Sequence, residues 1–368
     1  MGQEQGGKKM IRYVKNMSIN LFPGYFALVM ATGALSIATF LLDMHVVSTG
    51  LLYFNIVVYT ILWGLTLYRL AFFTSRFVKD LTSHTLGPGF FTLVAGTCVF
   101  GSQLIIVAHH PEPALYLWFL AIFLWLVIMY TFFTAVTVRK NKPTLSEGIN
   151  GAWLIAAVAT QSISVLGTLL SPYVENGREI VLFVALCMYL LGCMLYLNII
   201  TLIFYRFTFV ELKFAALTPP YWINMGAVAI TTLAGSTLML HVDNWSFLSE
   251  LLPFLKGFTL FFWITGTWWI PLLFILMIWR HLYHHYPLKY DPQFWGMAFP
   301  LAMYTTSTYQ LSKALSLPFL QVIPRFMVYV AMTAWLMVFL GLIHHLYASF
   351  RQQRGEESSS LWQRTRKR

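Results

Sequence analysis

The sequence predicts an all-α integral membrane protein in which ten transmembrane helices form five parallel-repeat helical hairpins around a central pore. Three observations carry that prediction. Of 368 residues, 58% are hydrophobic and only 10% charged, whereas charged residues make up about a quarter of an ordinary soluble domain. Ten stretches are long and apolar enough to supply the roughly 20 residues a helix needs to cross a bilayer core. One short pattern, turn-forming residues followed by a bulky apolar start that ends in an aromatic, occurs five times. The copies are Pro23-Gly24-Tyr25-Phe26, Pro88-Gly89-Phe90-Phe91, Asn150-Gly151-Ala152-Trp153, Pro219-Pro220-Tyr221-Trp222 and Pro292-Gln293-Phe294-Trp295. Their closing aromatics at positions 26, 91, 153, 222 and 295 lie 65, 62, 69 and 73 residues apart, and internal periodicity of this kind constrains the whole fold.

The first stretch, about 22–42, follows the basic residues Lys8, Lys9, Arg12 and Lys15 and holds the small residues Ala31, Gly33 and Ala34. Those features are shared with a cleavable signal peptide, but the run is too long for one and carries the repeated pattern, so it belongs to the mature fold. The second stretch, 49–74, completes the first hairpin. The third, 88–108, contains Gly96, Thr97, Gly101, Ser102 and Gln103, and its partner at 113–138 is large and apolar from Leu115 to Phe133. The fifth, 150–170, contains Thr160, Gln161, Ser162, Ser164 and Gly167, and is followed by 179–205. The seventh, 219–241, holds Gly226, Thr231, Thr232, Gly235, Ser236 and Thr237, and is followed by 257–284. The ninth, 292–312, holds Thr305, Thr306, Ser307, Thr308 and Gln310, and the tenth, 324–349, is again uniformly bulky from Phe326 to Leu342. Three regions follow: an N-terminal segment 1–21, a ten-helix domain 22–349 and a basic tail 350–368.

Lysine and arginine bias sets the orientation of such a chain. Crossing at every stretch puts 20 of these residues on the side of the N-terminus and only Arg178, Lys256, Lys313 and Arg325 on the other. This asymmetry predicts a multi-pass protein of the plasma or inner membrane with both termini cytoplasmic. It also accounts for the net charge of +11 without nucleic acid, and the tail Arg364-Thr365-Arg366-Lys367-Arg368 reads as a solvated end or lipid-surface contact. Cys98, Cys187 and Cys193 fall within helices without metal-ligand spacing and read as packing residues.

Because each repeat holds two helices, the marked helix of every repeat crosses in the same direction, and parallel repeats are related by an axis along the membrane normal. Glycines and hydroxyls segregate onto the odd helices, which places those helices inside the ring and their even partners outside. Small and polar residues also serve close helix packing, so no single one of them identifies a lumen. Four residues after each marking aromatic stand Met30, Ala95, Ala157, Gly226 and Phe299. If they share a level, one aromatic projects into a space lined by small or flexible side chains. Proline removes a backbone hydrogen bond and bends a membrane helix, so Phe299-Pro300 sets this plug beside a kink. The predicted pore lining adds Thr32, Thr97, Thr160, Thr231 and Thr305.

Met297-Ala298-Phe299-Pro300-Leu301-Ala302-Met303-Tyr304-Thr305-Thr306, together with Phe22-Pro23-Gly24-Tyr25-Phe26 and Ala31-Thr32-Gly33, resembles the tellurite-resistance/C4-dicarboxylate transporter (TDT) family. That family includes TehA-type channels, plant slow anion channels, malate permeases and sulfite efflux pumps. The resemblance covers about residues 17–349. It implies five hairpins around a pore, a homotrimer with one pore per subunit, and a role for Phe299 as the residue that occludes the pore. The long regulatory N-terminal domain of the plant members has no counterpart here.

A pathway without charge at mid-membrane is unusual, since intramembrane charge commonly marks ion routes. Hydroxyls, kinks that expose backbone groups and basic residues at the mouths, Lys313 among them, can favour an anion without holding it tightly. The expected function is an anion channel gated by Phe299; the alternative is a carrier of C4-dicarboxylate, sulfite or tellurite in the same fold. The expected partners are small inorganic or carboxylate anions and the lipid bilayer. A haem enzyme is a third reading, but His281, His284, His285, His344, His345, His109 and His110 sit at helix ends rather than facing one another within a bundle. Trp63, Trp118, Trp245, Tyr283 and Tyr290 suit interfacial belts. No catalytic or phosphate-binding motif appears, so neither enzyme activity nor a cofactor is expected.

Overall fold

In the computed structural model of the chain, residue 15 and residues 17–365 are described, with side chains through residue 349 and at residue 351. Lys8, Lys9, Arg12 and the side chains of the tail from Arg364 to Arg368 lie outside the described residues. All regular elements among those described are helical. The long helices are α1 (Ala27–Leu41), α2 (His45–Phe72), α3 (Phe91–Ile106), α4 (Pro111–Val138), α5 (Ile155–Leu170), α6 (Arg178–Phe209), α7 (Ile223–Met239), α8 (Leu252–Ile278), α9 (Trp295–Ala314) and α10 (Val322–Thr365). Nine described spans are both long and apolar enough to cross a membrane. The exception contains α9, whose hydroxyls at Thr305, Thr306, Ser307 and Thr308 lower its hydropathy. Its 20 residues are nonetheless buried without interruption from Trp295 to Thr308, so its polar groups face protein rather than lipid.

The odd helices α1, α3, α5, α7 and α9 touch one another in that cyclic order, with α9 returning to α1. Each even helix packs outside the odd helix that precedes it. Burial follows the same division: between 83 and 100% of the odd spans that meet the membrane criteria is buried, against 17 to 44% of the even ones. The even helices carry the exposed apolar side chains, among them Tyr53, Phe123, Phe183, Phe261 and Tyr329, as a lipid-facing layer should. Cys98 and Cys193 are buried packing residues, but Cys187 is exposed on α6, which corrects the expectation for that residue. Trp118 differs from an interfacial anchor in the same way: it is buried and donates its indole N–H to the Ile163 carbonyl at 3.0 Å.

Each repeated sequence mark is a turn of 3₁₀ helix immediately before an odd helix: Pro23–Phe26, Gly87–Phe90, Gly151–Leu154, Pro219–Trp222 and Pro292–Phe294. Proline is tolerated there because the first helical N–H groups have no intrahelical acceptor. In the third and fifth copies a side chain substitutes for that acceptor, Asn150 taking the Ala152 N–H at 2.9 Å and Asp291 the Gln293 N–H at 2.8 Å. The five turns also contact one another in a closed ring. Contact is tightest at Gly151, where a Cβ would stand 2.2 Å from the Pro220 carbonyl oxygen and 2.6 Å from the Tyr221 Cα. Only glycine permits that approach.

Three arginines brace the hairpins in one register. Arg69 at the end of α2 donates to the Leu21 carbonyl at 2.7 Å, Arg206 at the end of α6 donates to the Ile149 carbonyl, and Arg280, in a π-helical turn (Trp279–Tyr283) after α8, donates to the Leu217 carbonyl. Each acceptor lies two residues before the 3₁₀ turn of the same hairpin. These arginines are 4, 6 and 7% exposed. They act as ties between helix ends rather than as free charges at the membrane face.

Candidate functional site

Two cavities lie in succession inside the ring, each lined by all five odd helices. The wider one, about 240 Å³, opens at the helix starts. Its walls include Ala27 and Met30 from α1, Thr92 from α3, Ile155 and Val158 from α5, Ile223 from α7, and Gly296 and Phe299 from α9, with Asn150, Thr218, Pro220 and Gln293 from the turns. Further along the helices the space narrows to about 20 Å³, lined by Ala34, Val99, Ser102, Ser162, Val165, Ile230, Thr237, Met303, Thr306 and Gln310 among others, which is room for about one water. Among the described residues, no Lys, Arg, Asp or Glu lines either cavity.

The lining advances in steps of three and four, such as Phe299, Met303, Thr306 and Gln310 on α9 or Val158, Ser162 and Val165 on α5. One face of each helix therefore points inward. Phe299 and Met30 meet at the deep end of the wide cavity. Phe299 is 1% exposed, so its ring is packed and not free in the opening. Pro300 cannot donate to the Gly296 carbonyl, and its ring packs on α7 at Gly226, where a Cβ would stand 2.6 Å from the Pro300 Cγ. Gly226 thus leaves room for the Pro300 ring beside Phe299. A Gly226→Ala substitution is expected to move α9 and change anion flux with Phe299 intact; proteoliposome flux equal to wild type would contradict this.

The other predicted lining residues have different positions. Ala157 is absent from both walls, and Val158 stands in its place. The reason is a one-residue slip in the third repeat. Leu154, not Trp153, is the true counterpart of Phe26, and Trp153 turns aside to donate its indole N–H to the carbonyls of His84 and Gly148. Ala95 is fully buried but lines neither cavity.

Thr32, Thr97 and Thr160 face outward, each toward an aromatic of the outer layer. Trp335 donates to the Thr32 hydroxyl at 3.0 Å, Trp125 donates to Thr160 at 2.8 Å, and the Tyr59 and Thr97 hydroxyls are 3.1 Å apart. These threonines pin inner helices to outer ones, a correction to their expected place in the lining. Thr231 and Thr305 donate to carbonyls of their own helices, Ala227 and Leu301, and line neither cavity.

The hydroxyls that do reach the narrow cavity are Ser102, Ser162, Thr237 and Thr306. All four donate to a carbonyl one turn back, so each presents its oxygen lone pairs inward unless it rotates. Counting in threes and fours from Ala95, Gly226 and Phe299 reaches Ser102, Thr237 and Thr306, and Ser162 follows once Val158 replaces Ala157. At the wide mouth, burial and the nearby Arg139 and Lys142 hold the His84 imidazole below its ordinary pKa, so it adds no fixed positive charge near neutral pH.

The histidines considered for haem are engaged locally. His281 Nδ1 lies 2.9 Å from the Tyr286 carbonyl oxygen, His284 stacks on Phe214 with ring centroids 4.7 Å apart, and His345 lies against Tyr290. Lys313 is exposed, with its ammonium 5.5 Å from the centroid of the Tyr309 ring.

Residues 20–343 match the family described as SLAC1, voltage-dependent anion channel. An uncharacterized membrane protein of Mycobacterium tuberculosis is 38% identical over 155 residues, which cover 42% of this chain and 78% of that protein. An uncharacterized transporter of Methanocaldococcus jannaschii is 28% identical over 308 residues, covering 80% of this chain and 84% of the relative. A sulfite efflux pump of Trichophyton rubrum is 22% identical over 356 residues, covering 91 and 94% of the two chains.

Proposed function

We propose, from the premise that the chain belongs to the SLAC1 voltage-dependent anion channel family, that it conducts small anions through the ring of odd helices and that Phe299 is the gate. Anion transport is the activity of that family, and the protein is a multi-pass membrane protein. The observation that carries the gate assignment is the position of Phe299 at the deep end of the wide cavity, beyond which only about 20 Å³ of space remains.

Anion preference arises here without a fixed charge in the walls. Five helices begin at the wide mouth, and a helix N-terminus carries a partial positive charge. Their sum attracts an anion, while the uncharged cavity beyond gives it no strong site in which to stop. Conduction needs binding favourable enough to enter and weak enough to leave. The narrow cavity supplies serine and threonine hydroxyls that must rotate from carbonyl to anion, which makes its hold weaker still.

The same fold can serve a carrier, and the relatives named as transporters and as a sulfite efflux pump favour keeping that reading. A proton-coupled carrier requires a titratable group on the path, and neither cavity wall contains a carboxylate. We therefore favour passive conduction by a transport protein without catalytic chemistry. The lysine and arginine asymmetry supports a plasma or inner membrane protein with both termini cytoplasmic. The exposed apolar faces of the even helices offer surface for lipid and for homotrimer assembly.

The test is a flux series in proteoliposomes with chloride, nitrate, sulfite and malate, each with and without an imposed pH gradient. Passive conduction gives flux that follows the anion gradient and membrane potential alone. Uphill accumulation driven by the pH gradient would establish the carrier instead, and absence of flux for every anion would remove the proposal.

A further inference from the structure

Arg69, Arg206 and Arg280 occupy one register in three hairpins, yet only one has an acidic partner. Arg69 pairs with Asp80 at 2.5 Å, and among the described residues neither Arg206 nor Arg280 has a carboxylate within 4.0 Å. A buried guanidinium without a counter-charge is strongly unfavourable. Arg206 donates to the Tyr221 hydroxyl at 2.5 Å as well as to Ile149. Arg280 has one carbonyl, Leu217, and the face of the Tyr286 ring 4.3 Å away.

Arg280 also lines a separate small pocket between the start of α7, the end of α8 and the turn before α9, of about 20 Å³. Thr218, Tyr221 and His281 share its wall, and no carboxylate does. Two buried polar atoms of that wall, Arg280 Nε and Thr218 Oγ1, have no hydrogen-bond partner among the described residues. One is an obligate cationic donor and the other a hydroxyl able to donate. The remaining wall is apolar, with Trp222, Phe294 and Met297 prominent.

We propose that this pocket binds one halide-sized monovalent anion as the fixed counter-ion of Arg280. Its volume suits a body about as large as a water, which admits chloride or bromide and rejects a sulfate or phosphate group. Charge-assisted bonding from the guanidinium, with the Thr218 hydroxyl as second donor, supplies the coordination. The site is distinct from the conducting path, although Thr218 lines the wide cavity as well and so forms part of the partition between them. Met297, two residues before Phe299, makes the bound ion a neighbour of the gate-bearing helix. The binding claim stands whether or not the central cavities conduct.

The test uses the full chain, purified in neutral detergent and exchanged into gluconate. Crystals grown with sodium bromide are expected to show an anomalous peak within hydrogen-bond reach of Arg280 Nε and Thr218 Oγ1. Chloride titrated at constant ionic strength is expected to raise the melting temperature along a saturating curve. Thr218→Val, which preserves shape, should move half-saturation to roughly tenfold higher chloride or beyond, and Arg280→Gln should abolish the bromide peak. Should Arg280→Gln fail to fold for want of its bond to Leu217, Thr218→Val alone decides. An anomalous map with no peak in the pocket overturns the proposal, as does a peak equally strong in Thr218→Val, which would mark an adventitious ion only.

Discussion

Replacing Phe299 with alanine is expected to raise anion flux in proteoliposomes by roughly tenfold or more, the change that follows from lowering a barrier by about 1.4 kcal/mol. Phe299 lines the deep end of the 240 Å³ cavity, and the 20 Å³ one begins a turn further along α9 at Met303, so removing the ring is expected to join the two spaces. Phe299→Leu should fall between alanine and wild type, because a smaller apolar group still obstructs water. Loss of a buried phenylalanine typically costs about 3–5 kcal/mol of stability. Phe299 is packed at 1% exposure, so a loss in that range is expected, and thermal unfolding in detergent measures it. Flux unchanged in a folded Phe299→Ala protein would show that the ring is ordinary packing.

Gly151→Ala is expected to have the largest structural effect of any single methyl group added to the chain. Its Cβ would stand 2.2 Å from the Pro220 carbonyl oxygen and 2.6 Å from the Tyr221 Cα. Both obstructions are backbone, so no side-chain rotation relieves them. Ordinary overpacking costs about 1–3 kcal/mol, and this substitution must exceed that range or break the contact between the third and fourth turns. Loss of monodisperse protein on size exclusion, or a fall of many degrees in melting temperature, is the expected readout. A wild-type melting temperature would mean that the turns need not touch.

The sequence announced the inner and outer layers clearly, because lipid accepts large apolar side chains and close packing between inner helices requires small ones. It also marked every 3₁₀ turn before an odd helix, since proline or glycine and a following aromatic stand at each. What it concealed was rotation. A helix buried on all sides has no polar face, so the outward pointing of Thr32, Thr97 and Thr160 left no periodic signal. The partners that draw them outward, Trp335, Tyr59 and Trp125, lie on helices remote in sequence from at least one of them.

The slip from Ala157 to Val158 arose because Trp153 and Leu154 are both bulky, and aligning aromatics chose the wrong one. Phe299 was identifiable from its place in the repeat, and Gly226 from its smallness, but the pairing of Gly226 with Pro300 needed coordinates. The bracing arginines were counted as charges on a membrane face. Their long side chains in fact reach back into the protein to carbonyls distant in sequence, Arg69 to Leu21 and Arg280 to Leu217, a use that a tally of charges does not reveal.

The return of α9 to α1 has a consequence for biosynthesis. A bond between the Thr306 hydroxyl and the Ala34 carbonyl joins residues 272 apart, and the one from Trp335 to Thr32 joins residues 303 apart. A chain emerging from the ribosome with four hairpins inserted is an open trough whose wall still lacks α9. Only the last hairpin can close it, and that hairpin brings Phe299. The ring is closed in that step, and on the proposed gate assignment it closes with Phe299 already in place.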